Sequence, residues 1–125
     1  MTERETAWPI VAARSAAEKQ AADPVILEVG DVLAICDYFV IASGRNTRQV
    51  RTVTDEIERA IVEAGGPKPL RLEGRDDLRW VLMDYGDFVV HVFLKEARDY
   101  YELERLWSDV PRVAWDTVSA PTGGP

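Results

Sequence analysis

The chain carries one histidine, His91, and one cysteine, Cys36. A thiol beside an imidazole is the smallest set of side chains that makes a strong nucleophile. Cys36 ends the apolar segment "DVLAIC", where a cysteine reads as a small buried residue. His91 falls between Val90 and Val92 in a strand-like run, where a lone histidine reads as a hydrogen-bonded structural residue. Zinc would need carboxylates to complete the one cysteine and one histidine, and no diagnostic spacing supplies them. Asp84 and Asp87 bracket a turn and can meet a metal, but aspartate is a preferred turn former, which is the better reading of both.

The stretch "ASGRNTRQ" (42–49) offers different chemistry. A strand ending in Ser43 and Gly44, followed by a helix start carrying Arg45 and Arg48, suits a phosphate. Nucleotidyltransferases also place a Gly-Ser type turn after a strand, but they need paired acids nearby to hold metal. The nearest pair, Asp55 and Glu56, are neighbours within a helix and do not share a face. The plainer reading of "SGRNTR" is a helix cap with solvated arginines. A small nucleotidyltransferase-like enzyme using the Ser43-Gly44 loop stands as the alternative function, and no complete catalytic constellation, cofactor site or metal site is expected.

The elements that position these residues follow from periodicity. Thr6 can cap a first helix, with Pro9 in its first turn, running to about residue 21. Strands are expected near 25–29, 38–43, 69–73, 79–84 and 88–94, and "DVLAIC" can make one helical turn. Asn46 or Thr47 can cap a helix whose Val50, Val53, Ile57, Ile61 and Ala64 follow helical spacing, with Gly65 and Gly66 to stop it. Gly86 lets "DYGD" turn tightly between the last two strands. A final helix is expected over about 96–107, with Tyr100, Leu103 and Trp107 along one side. The order predicts an α/β (α+β) single domain: a mixed five-stranded sheet flanked by helices.

Both faces of the hairpin "LRWVLMDYGDFVVHVF" (78–93) are apolar, as for strands covered on two sides. In a chain of 125 residues, few elements remain to cover the face that bears Trp80. The formal net charge of −7 repels phosphate backbones and favours encounter with basic partners, so no direct nucleic-acid specificity is expected. The N-terminus lacks the pattern of a secretion signal, and no run is long enough to span a membrane. With one cysteine there is no internal disulfide framework, and a cytoplasmic setting is the expectation.

Four stretches in order carry a resemblance. "DYFVIASGRNTRQV" (37–50), "GGPKPLRLEG" (65–74), "WVLMDYGDFVVHVF" (80–93) and "RDYYELERLW" (98–107) together resemble the ribosomal silencing factors, the Iojap-like family, over about residues 8 to 113. Lys95 stands where many members have proline, and the tail after Ala114 has no counterpart in the pattern. The composition of "SAPTGGP" makes the tail at 115–125 an expected disordered one. The resemblance implies a silencing factor domain at 1–114. It implies a nucleotidyltransferase-like fold without the catalytic acids, and a non-enzymatic regulator. Such proteins dock on the large ribosomal subunit through its basic protein numbered fourteen. They block joining of the small subunit, repress translation under nutrient limitation, and are often homodimers when free. On this reading the face of Trp80 and Leu82 is kept for the partner, with Asp84 and Tyr85 at its edge and Arg98, Tyr101 and Glu102 extending it. The competing reading of Trp80 is a core residue under a helix.

Overall fold

A computed structural model describes residues 2–116. The alanine-rich start forms helix α1 (Thr2–Glu18), and the chain then turns into the antiparallel strands β1 (Ala22–Glu28) and β2 (Tyr38–Gly44). Helix α2 (Thr47–Glu63) carries the chain over the sheet to β3 (Arg71–Glu73), β4 (Trp80–Asp84) and β5 (Phe88–Leu94). The sheet order is β1-β2-β5-β4-β3, with β2 and β5 parallel and the other pairs antiparallel. This is the mixed five-stranded sheet expected, with α2 in the crossover between its two parallel strands.

Alternation along each strand divides the core in two. Val40, Ala42, Val81, Met83, Val90 and Val92 meet α1 and α2 on one face. Ala12, Ala13 and Ala16 of α1 are fully buried there, and their small side chains let the helix lie close to its neighbours. Val50, Val53, Ile57 and Ile61 supply the facing stripe of α2. The other face carries Leu27, Ile41 and Phe93, covered by Ala97 of helix α3 (Lys95–Tyr101) and by Leu103 and Trp107 around the short helix α4 (Leu103–Leu106).

Several local expectations are corrected. Helix α1 begins at Thr2, so Thr6 lies inside it and Pro9 falls beyond its first turn. Strand β1 starts at Ala22 through an irregularity between Ala22 and Val25, where Asp23 takes a φ of 47°. The "DVLAIC" segment, by contrast, makes the single turn expected of it, its Leu33 N–H donating to the Val29 carbonyl at 2.8 Å. The single final helix is broken at Glu102, which adopts a left-handed conformation with φ 50° and ψ 47°. The turn of the last hairpin is as expected: Gly86 has a φ of 90°, and the Asp84 carboxylate accepts its N–H at 2.9 Å.

Beyond α4 the chain runs beside β1. Glu28 N–H donates to the Pro111 carbonyl and Val113 N–H to the Ile26 carbonyl, each at 2.9 Å, with Arg112 bridging Leu27. Trp115, the first residue of the expected tail, donates its indole N–H to the Pro24 carbonyl at 2.8 Å. Its carbonyl accepts from Arg14 Nε at 3.3 Å. The remainder of that tail, 117–125, lies outside the described residues. Among the described residues no helix is long and apolar enough to cross a membrane.

Candidate partner-binding site

The register of the sheet assembles one face row by row. Trp80 lies opposite Phe93, Leu82 opposite His91, and Asp84 opposite Val89. On the far side of β4, Glu73 pairs with Leu82 and Arg71 with Asp84. Helices α3 and α4 cover only part of this face. Trp107 meets Phe39 edge-on at 5.6 Å, and Tyr101 reaches Trp80 with ring centroids 4.9 Å apart. Over β4 and β3 the face stays open, leaving Trp80, Leu82 and Asp84 half-buried. The opening continues into a groove of about 380 Å³ lined by Leu33, Ile35, Phe39, Leu70, Leu82 and His91. Ile35 is 83% and Leu70 73% exposed at its rim. Large aliphatics stand open to solvent beside half-buried aromatics on one side of the sheet. Trp80 thus combines both sequence readings, packed on Phe93 beneath and open to solvent above.

The polar chemistry beneath this face is closed. Trp80 Nε1 donates to His91 Nδ1 at 3.0 Å, and burial pushes the His91 pKa down to about 4, so the ring is neutral at pH 7. Cys36 lines the same groove, but burial, then the charges of Asp37 and Asp84, push its thiol pKa up. A nucleophilic dyad needs the opposite shifts, and no hydrogen bond joins the two side chains. Asp84 holds the turn and stands 3.6 Å from Arg71. Among the described residues no group of three or more metal-ligating side chains gathers.

The phosphate candidate is occupied by its own side chains. Asn46 caps α2 by accepting the Gln49 N–H at 2.8 Å, and the Gln49 side-chain oxygen accepts the Arg45 N–H at 2.8 Å. The Gln49 amide nitrogen donates to the carbonyls of Lys19 and Gln20, tying α2 to the end of α1. Asp55 pairs with Arg75 and Glu56 with Arg59, so the two acids diverge. Arg45 and Arg48 are exposed.

Of the seven residues expected to bind a partner, Trp80, Leu82, Asp84 and Tyr101 come together on the open face. Glu102 is exposed just beyond Tyr101 and pairs with Arg105 at 2.8 Å. Two are corrected. Tyr85 is 7% exposed and belongs to the core on the α1 and α2 side, stacked on Phe88 at 4.6 Å. Alternation explains it: Asp84 faces the open side, so the next residue points the other way. Burial raises the pKa of its phenol. Arg98 is 8% exposed because α3 turns Ala97 and Arg98 inward. Its guanidinium donates to the carbonyls of Ala22 and Asp23, to Ser43 Oγ and to both oxygens of Glu104. Sequence reasoning missed Ile35 and Leu70; their signal is a large aliphatic beside turn residues, outside any amphipathic pattern.

Comparison with known proteins agrees with this fold. A family model described as "Ribosomal silencing factor during starvation" matches residues 2–124. The chain is 42% identical over 101 residues to the ribosomal silencing factor of Bacillus subtilis, covering 81% of this chain and 85% of that one. It is 31% identical over 93 residues to a mouse protein named for mitochondrial assembly of the ribosomal large subunit, covering 73% of this chain and 41% of the mouse protein. A crystal structure of a protein from Bacillus halodurans superposes with a TM-score of 0.71 at 38% identity, covering 83% of this chain and 93% of that one. The chain belongs to the family of ribosomal silencing factors.

Proposed function

We propose that this protein represses translation by laying the open face of Trp80, Leu82, Asp84 and Tyr101, with Glu102 beside it, on the large ribosomal subunit, where it blocks joining of the small one. The observation that carries the reading is the half-covered sheet face, apolar at its centre and charged at its rim. That composition suits a docking surface, with aromatics supplying buried area and the rim setting register. The mouse relative's name, which refers to the ribosomal large subunit, supports the choice of subunit. The net charge of −7 suits a basic partner, and the family resemblance points to the large-subunit protein numbered fourteen. We further propose a cytoplasmic, non-enzymatic protein that is a homodimer when free.

The test is co-sedimentation with purified large subunits, followed by a subunit-joining assay. Trp80→Ala and Leu82→Arg should stay folded and lose affinity, by about thirty- to a thousand-fold for Trp80→Ala. The wild-type protein should inhibit subunit joining and the variants should not. Normal co-sedimentation by both variants would put the docking surface elsewhere.

A further inference from the structure

His91 is 5% exposed, and its Nδ1 accepts the Trp80 indole N–H at 3.0 Å. An imidazole that accepts at Nδ1 while neutral carries its proton on Nε2. That Nε2 is buried and has no hydrogen-bond partner among the described residues. Leaving a buried donor unpaired opposes folding, and a phenylalanine here would fill similar space without that penalty. The one thing the imidazole supplies that a hydrocarbon ring cannot is an acceptor aimed at Trp80.

Trp80 needs one. Its ring rests between Phe93 at 4.8 Å and Tyr101 at 4.9 Å, on a face otherwise open to solvent. Tilted ring contacts of this kind tolerate a half-turn of the indole about its own axis. A hydrogen bond does not, because the half-turn carries the N–H away from its acceptor. His91 reaches Trp80 diagonally across the β4–β5 pair, one row from its direct partner Phe93.

We infer that His91 is a positioning residue that fixes the Trp80 indole in a single orientation on the docking face before a partner arrives. Its effect on docking rests on the proposed function; its effect on the indole does not. Ordering an aromatic anchor in advance removes an entropy cost from binding, which corresponds to about three- to tenfold in affinity.

The test uses nitrogen-15 NMR on the free full chain and co-sedimentation with large subunits. In the wild type at pH 7, His91 should be the Nε2–H tautomer. The Trp80 indole N–H, identified by its loss in Trp80→Phe, should exchange slowly with water. His91→Phe should expose that N–H to rapid exchange and weaken docking about three- to tenfold. His91→Asn, whose Oδ1 takes the place of Nδ1, should restore slow exchange and most of the affinity. A wild-type proton on Nδ1, or equal indole protection in His91→Phe, would overturn the inference. Should His91→Phe fail to fold, the wild-type tautomer and exchange rate decide it. If Trp80→Ala docks normally, the docking reading fails while the indole measurements still stand.

Discussion

Arg98 and Glu104 clasp each other across the left-handed break at Glu102, with Nε 2.9 Å from Oε1 and a terminal nitrogen 3.1 Å from Oε2. The same guanidinium holds the carbonyls of Ala22 and Asp23, at the opposite end of the sequence. Arg98→Ala should therefore cost about 2 kcal/mol in denaturant unfolding, because it takes the donor from the buried Ser43 hydroxyl and from the part-buried bonds to Glu104, Ala22 and Asp23. Arg98→Lys should recover little, since an ammonium cannot reproduce the planar fork. A loss below about 1 kcal/mol for Arg98→Ala would show that the clasp is dispensable.

Gly74 makes a second, sharper prediction. Its φ is 84°, and a Cβ there would lie 2.1 Å from the Trp80 carbonyl oxygen. Gly74→Ala should destabilise the fold by about 2–3 kcal/mol and disturb Trp80. Gly65, at φ 93° with open space around it, is the control: Gly65→Ala should cost only about 1 kcal/mol. Equal melting shifts for the two would contradict the steric reading.

His91 predicts a pH dependence of stability. Its folded pKa of about 4 lies below the unfolded value of 6.5, so between these the unfolded chain binds more protons. The contribution is complete above about pH 6.5 and is lost as pH falls toward 4, up to about 3 kcal/mol. Because the chain has one histidine, unfolding curves of the wild type and His91→Phe should diverge only across that interval. Parallel curves would mean that His91 titrates normally.

The net charge of −7 predicts that association with large subunits slows as salt is added, because screening shortens the reach of attraction to a basic partner. Stopped-flow association rates across a salt series would check this, and a flat series would rule out charge steering.

What was legible in the sequence was local. Gly86, the Asn46 cap and the alternation through Trp80 and Leu82 each act within a few residues, so the hairpin, α2 and the sharing of one face by Trp80 and Leu82 could be read directly. The residues left both a covered and an open face for Trp80. The misplaced residues depend on phase set from elsewhere. Arg98 faces inward because α3 starts at Lys95 and because its acceptors lie on residues 22, 23 and 43. Tyr85 faces the core because the turn keeps the strand's alternation for one more residue. The break at Glu102 had no sequence signal, since glutamate is not a residue that favours positive φ.

The strand of chain that runs from Pro111 to Val113 beside β1 has a consequence for how copies of this protein meet. It occupies hydrogen-bonding groups of β1 that would otherwise be free to recruit another strand. At the opposite margin, β3 is three residues long and displays Arg71 and Glu73. A margin so short and so charged is a poor template for intermolecular pairing, and a margin already paired resists it. Growth of the sheet from molecule to molecule is thus discouraged at both ends, even where the protein is concentrated, and encounters are left to side chains rather than to main-chain zippering.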